Sequence, residues 1–209
     1  MRPAALLLDL DGTLVDSEPL HRRGYADFFA SRKWSVPDLS IFTGRRAEDV
    51  FATESGPWTG HDPFALLEEV LPFIPTDPPE AVPGAVELMR AARSSRVPMA
   101  VVTSAGPAWV TRCLSALDCQ VDVVVTAEDV EDGKPDPAGY ALACLRLGVP
   151  ADATWALEDS PAGVRAALAA GVAVVHGVTT THDAAVLREA GAHAVHADPT
   201  PLVGLIGPS

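Results

Sequence analysis

Two aspartates one residue apart close the first apolar run of the chain, Leu6-Leu7-Leu8-Asp9-Leu10-Asp11-Gly12-Thr13. Alternation along a strand sends Asp9 and Asp11 to one side and Leu8 and Leu10 to the other. Gly12 permits a sharp turn directly after them. Carboxylates held that close repel each other, and desolvation deepens the conflict. A cation between them, or a reaction that uses both, resolves it. Taken alone, the stretch has a plainer reading, an exposed Asp-Gly turn after an edge strand.

Three further places carry residue types fit for chemistry. Thr103-Ser104-Ala105-Gly106 puts hydroxyls and small residues just before a helix start, where free backbone N–H groups and the helix dipole suit an anion. Ser104 as an ordinary helix cap competes with that reading. Lys134 stands in Gly133-Lys134-Pro135, and the chain spends lysine only at Lys33 and Lys134. That scarcity and its rigid frame favour a function over a solvated surface lysine. Glu158 and Asp159 are adjacent acids ahead of Ser160-Pro161, either a helix cap or, if their strand neighbours the first, half of a carboxylate cage. An all-oxygen cage of that kind favours Mg²⁺.

The elements that must position these residues follow from periodicity. A strand is expected over 4–10 and a helix over 20–31, introduced by Ser17-Glu18-Pro19 with its proline in the first turn. Short helices fit 47–53 and 63–70, and the proline-rich 71–83 reads as a linker or hinge. With no strand pattern between Val15 and Ala81, this stretch is a wholly helical insertion. From Gly84 the chain alternates helices at 85–93, 107–117, 138–147, 162–170 and 183–190 with strands at 99–103, 121–125, 154–157, 172–175 and 194–196. Apolar strands alternating with helices give a parallel sheet covered on both faces. In such sheets ligands sit beyond the C-terminal ends of the strands. All four chemical stretches fall there.

Composition narrows the classes. The chain has 209 residues, 48% of them hydrophobic, enough for one α/β domain with an insertion. A net charge of −13 argues against a nucleic-acid surface. No apolar run reaches bilayer length and no secretory leader pattern stands at the start, so the expectation is a cytoplasmic protein without membrane or nucleic-acid partners. Cys113, Cys119 and Cys144 lack metal-ligand spacing and are read as small core or surface residues.

Taken together, these residues resemble the haloacid dehalogenase superfamily along essentially the whole chain. Its Asp-x-Asp-Gly-Thr motif stands as Asp9-Leu10-Asp11-Gly12-Thr13, its strand-closing Thr or Ser as Thr103, its lysine as Gly133-Lys134-Pro135, and its acidic pair as Glu158-Asp159. The insertion matches the helical cap of the branch with phosphoglycolate phosphatases, sugar-phosphate phosphatases and β-phosphoglucomutase. The resemblance implies a Rossmann-like α/β core over 1–16 and 80–209, with strand one central, and a small all-helical cap over 17–79. It implies Asp9 as nucleophile, Asp11 as general acid and base, and Thr103, Ser104 and Lys134 around the phosphoryl group. Asp9, the backbone carbonyl of Asp11, Asp159 and, directly or through water, Glu158 would hold Mg²⁺. The acid at Asp11 separates phosphatases and phosphomutases from the dehalogenases, which lack it.

For the cap, the resemblance offers His21 near the hinge and Arg45 and Arg46 after Gly44 as substrate contacts, each against an ordinary surface reading. Trp34, Phe42 and Trp58 are read as packing residues, and His176, His182, His193 and His196 as structural or solvated. The implied activity is Mg²⁺-dependent hydrolysis of a small phosphorylated metabolite (a sugar or polyol phosphate, or a phosphoglycolate-like acid) through an aspartyl-phosphate, by a monomer or weak dimer. A phosphomutase is the enzyme alternative, and an inactive sugar-phosphate-binding module the non-enzyme one.

Overall fold

The computed structural model describes residues 2–77 and 79–207; Pro78, inside the expected linker, lies outside them. Leu6–Leu8 forms β1, flanked on one side by β2 (Met99–Val102) and on the other by β4 (Trp155–Glu158). With β3 (Val123–Val125), β5 (Val174–Val178) and β6 (Ala194–His196) the sheet runs β3-β2-β1-β4-β5-β6, every pair parallel. The chain builds outward to β3, then returns to the other side of β1 to begin β4. That reversal leaves a crevice beyond the C-terminal ends of β1, β2 and β4.

Alternation along the strands divides the core. Leu6 and Leu8 join Met99, Val101 and Leu157 on one face, beneath α4 (Ala85–Ser94), α5 (Pro107–Leu117) and α9 (Thr200–Ile206). Leu7 joins Ala100, Val102, Ala156 and Val175 on the other, beneath α6 (Ala138–Leu147), α7 (Pro161–Ala169) and α8 (Ala184–Glu189). Each fully buried aliphatic side chain contributes about 1.5–3 kcal/mol. The helix α9 was not expected from sequence; it closes the face over α4, with Leu202 and Ile206 fully buried.

Between β1 and α4 the chain forms α1 (Glu18–Ser31), α2 (Ala47–Thr53) and α3 (Pro63–Val70), and no strand among the described residues. These helices gather Phe28, Phe29, Phe42, Phe51 and Trp58 into a separate apolar cluster. Trp58 is fully buried, 5.5 Å from Phe51 and 5.6 Å from Phe29 by ring centroid, and its indole N–H donates to Glu54 O at 3.0 Å. The two connections to the sheet run side by side: Asp16 N donates to Glu80 O at 2.8 Å and Val82 N to Leu14 O at 3.0 Å. The expected linker is only partly one. Leu71–Phe73 is a helical turn, the Ile74 side chain presses against Gly24 of α1 and the Phe73 ring stands 5.8 Å from that of Phe28, so apolar side chains hold half of it down.

Strand ends moved by one to three residues from their expected places, whereas α2, α3, α5, α6 and β6 fall where periodicity puts them. Among the described residues no helix is long and apolar enough to cross a membrane.

Candidate active site

Asp9 leaves β1 still bound to the sheet, its N–H donating to Leu157 O at 3.0 Å. Its carboxylate is therefore fixed beside the end of β4, where Glu158 and Asp159 lie. Oxygens of Asp9, Glu158 and Asp159 come within 4.8 Å of one another, and all three residues are buried. The chain turns away at Gly12, whose φ of +81° suits glycine and whose missing side chain leaves room for Asp159 Oδ2, 2.2 Å from where a Cβ would stand.

Lys134 reaches this cluster from the loop before α6. Its ammonium donates to Asp9 Oδ1 at 2.6 Å, Glu158 Oε1 at 2.6 Å and Val102 O at 3.0 Å, which satisfies its three N–H groups. Glu158 is occupied on both oxygens. Oε1 also accepts from Tyr140 OH at 2.7 Å, and Oε2 accepts from Ser160 Oγ at 3.1 Å and from the N–H groups of Asp159 and Ser160. Asp159 accepts from the hydroxyls of Thr13 and Thr181. Asp9 Oδ2, by contrast, is buried with no hydrogen-bond partner.

One ammonium among three buried carboxylates leaves negative charge uncompensated. Burial, reinforced by the neighbouring charges of Glu158 and Asp11 against the pull of Lys134, pushes the Asp9 carboxyl from 3.8 up to about 7. Burial and the charges of Asp9 and Glu158 raise Asp159 well above the carboxylate range. For Lys134, burial favours the neutral amine, but Asp9 and Glu158 outweigh it and keep the ammonium charged. The all-oxygen donor set, the unpartnered Oδ2 and the surplus negative charge together fit a hard divalent cation.

Asp11 points elsewhere than this cluster. Its Oδ1 accepts from Ser17 Oγ at 2.6 Å and from the indole N–H of Trp109 at 2.8 Å. Thr103 closes β2, its hydroxyl oxygen accepting from Ala105 N at 3.0 Å. Ser104, Thr103 and Lys134 line a small cleft together with Arg46.

The helical insertion closes directly on these loops. Ser104 Oγ donates to Gly44 O at 3.1 Å, and a Cβ on Gly44, where φ is +74°, would stand 2.2 Å from Ser160 Oγ. Arg46, buried at the start of α2, donates to the backbone oxygens of Val130 at 2.8 Å and Glu131 at 2.9 Å. Its Nε has no partner. Arg45 instead reaches along α2 to Glu54 at 2.7 Å and Thr53 at 2.9 Å, at the far end of that helix. The ring of His21 lies 5.3 Å from that of Trp109.

Asp9, Thr103, Lys134, Glu158 and Asp159 thus converge, Asp11 and Ser104 flank them, and Arg45 turns to the end of α2. Tyr140, Trp109 and Thr181 were not foreseen. Thr181 had a signal, since it follows β5 at the same edge of the sheet; Tyr140 and Trp109 lie inside helices with nothing local to mark them. Of the histidines read as structural or solvated, His182 has Nδ1 3.2 Å from Asp159 O, while His176 is buried against His196 at 3.2 Å.

A family model for haloacid dehalogenase-like hydrolases matches residues 3–171. The chain is 42% identical to validoxylamine A 7'-phosphate phosphatase of Streptomyces hygroscopicus subsp. limoneus, over 88% of this chain and 89% of that protein. It is 34% identical to hexitol phosphatase A of Escherichia coli, over 84% and 83%. In fold it matches a hydrolase crystal structure from Pseudomonas syringae with a TM-score of 0.84 at 24% identity, covering 98% and 97% of the two chains.

Proposed function

Because the chain belongs to the haloacid dehalogenase-like hydrolase family, we propose that it hydrolyses the phosphate monoester of a small sugar or polyol, with Asp9 as nucleophile. The observation that carries this is the state of Asp9, gripped by Lys134 through Oδ1 while Oδ2 lies buried and unpartnered among acids. The names of two relatives, a validoxylamine A 7'-phosphate phosphatase and a hexitol phosphatase, support the substrate class.

An Asp9 oxygen bonds to phosphorus as the bond from phosphorus to the leaving alcohol oxygen breaks, giving an aspartyl-phosphate. Asp11 donates the proton that the alkoxide needs, then takes one from the water that cleaves the acyl phosphate. Lys134 and the hydroxyl of Thr103 would meet the transferring oxygens, joined by Ser104 once its hydroxyl turns from Gly44 O, and positive charge and donors there lower the barrier. Glu158 acts one step back, with Tyr140 beside it, by holding Lys134. Asp9, Asp159 and the Asp11 carbonyl would hold Mg²⁺, with Glu158 adjoining; when bound, the ion keeps Asp9 ionised and withdraws charge from the phosphoryl group. Residues 17–79 act as the cap, from which Arg46 lines the cleft with Thr103 and Lys134 and His21 approaches Asp11 through Trp109.

The test is phosphate release from a panel of sugar and polyol phosphates with Mg²⁺. Activity in the natural protein and its loss in Asp9→Asn is the expected result. Unchanged release in Asp9→Asn overturns the nucleophile. Conversion of β-glucose 1-phosphate to its 6-phosphate with little free phosphate makes the protein a phosphomutase instead.

A further inference from the structure

The indole of Trp109 joins three separate parts of the molecule. It stands in the first turn of α5, packed against the core beneath β2. Its N–H donates to Asp11 Oδ1 at 2.8 Å, and its ring meets His21 of α1 at 5.3 Å. Ser17, one turn before His21, donates to the same oxygen at 2.6 Å. Both donors converge on Oδ1, and Oδ2 has no protein donor among the described residues.

We propose that Trp109 is a positioning residue for Asp11, fixing which carboxyl oxygen carries the proton to the leaving alcohol. The argument is one of donor chemistry. A serine hydroxyl can turn and accept, so Ser17 alone would leave either oxygen free to be protonated. An indole N–H only donates. With Trp109 in place Oδ1 is always an acceptor, and the proton of the acid form sits on Oδ2. Two donors on one oxygen also resist rotation of the carboxyl group. As the Asp9–phosphorus bond forms and the phosphorus–alkoxide bond breaks, the Oδ2 proton passes to the alkoxide oxygen and Asp11 is left as carboxylate. Contact with His21 places the same indole against α1, the first helix of the insertion, so the acid is held from both sides of the site.

The inference rests on the phosphatase reading, and leaving-group chemistry separates the two. An alkoxide leaves slowly without a proton; a nitrophenolate needs none. We would compare kcat/KM for a polyol monophosphate and for p-nitrophenyl phosphate, since that ratio reports the step in which the ester bond breaks. Trp109→Phe keeps an aromatic ring against His21 but removes the donor. It is expected to lower kcat/KM for the polyol phosphate on the order of 10- to 100-fold, a part of the roughly 10²- to 10⁴-fold that general acid catalysis contributes, and to leave the nitrophenyl ester within about threefold. Trp109→His, which restores a ring N–H, is expected to recover part of the difference. In Asp11→Asn, adding Trp109→Phe should change nothing further. An equal fall for both esters, or the same fall in the Asp11→Asn background, overturns the proposal. Absence of phosphate release from either ester in the natural protein overturns the phosphatase reading instead.

Discussion

Lys134 and Glu158 form a buried ion pair at 2.6 Å, and the same ammonium lies 2.6 Å from Asp9. Glu158 is fully enclosed and its two oxygens are taken up by Lys134, Tyr140, Ser160 and backbone N–H groups. A side chain so occupied is suited to hold a lysine in place rather than to bind a ligand of its own. The adjacent acids Glu158 and Asp159, indistinguishable in type, therefore divide their work by what surrounds them.

Removing the ammonium leaves three buried carboxylates facing one another. Lys134→Met is expected to cost roughly 3–5 kcal/mol of stability at neutral pH, as for other buried pairs broken from one side, and to abolish turnover. Adding Glu158→Gln removes one of the stranded charges and should recover part of the loss. Urea unfolding of the two single variants and the double variant measures this; simple additivity would show that the pair is not energetically coupled.

Gly163 decides how closely α7 approaches that carboxylate. A Cβ there would stand 1.7 Å from Glu158 Oε1 and 2.1 Å from Oε2. Gly163→Ala must displace Glu158 and, through it, Lys134. Overpacking of this kind costs about 1–3 kcal/mol, and the expected signature is a fall in kcat larger than the change in thermal midpoint would explain. Steady-state kinetics beside a melting curve checks it.

The four motif stretches could be read from sequence because three stand at strand ends and the fourth, Lys134, lies in the loop that leads from β3 to α6, and the strand ends and the loops after them meet at one edge of a parallel sheet. Helix limits were legible where proline or an acid marks the start, as at Pro63 and Pro107. The strand limits were not, because runs such as 172–175 are apolar before the residues that pair. Trp109 and Tyr140 escaped for a different reason. Their side chains reach Asp11 and Glu158 only through the angle at which α5 and α6 cross the sheet, which local pattern does not encode. The Arg45 and Arg46 pair was ambiguous in sequence and separates only in space, one guanidinium turned to Glu54 and the other to the loop before Lys134.

Arg46 ties the helical insertion to that loop through the carbonyls of Val130 and Glu131. Arg46→Ala is expected to loosen both partners while leaving the sheet intact. Amide exchange over 130–134 should quicken on the order of tenfold or more, as local opening becomes less costly, and KM should rise. Unchanged exchange in that loop would show that Ser104 and Gly44 hold the insertion closed without Arg46.

The crowding of carboxylates also fixes how stability depends on pH. Asp9 titrates near 3.8 in the unfolded chain and at about 7 in the folded one, chiefly because burial penalises its charge. The folded state therefore holds a proton that the unfolded state has released between those values, so this group's stabilisation is full below about pH 4 and is lost as pH rises through about 7. Asp159 shifts in the same direction. His176 works oppositely: burial lowers it from 6.5 to about 4, so its stabilisation is present above 6.5 and fades as pH falls toward 4. The informative quantity is thus the difference between the natural protein and Asp9→Asn, in which the His176 contribution cancels. Without divalent cation, the natural protein should lose stability relative to Asp9→Asn between pH 5 and 8, a tenfold difference in proton affinity between the folded and unfolded states being worth about 1.4 kcal/mol. Mg²⁺ held by the ionised site and not by the unfolded chain would raise the melting temperature of the natural protein more at pH 8 than at pH 5. A melting temperature indifferent to Mg²⁺ at pH 8 would mean that Asp9 and Asp159 tolerate their crowding without a cation.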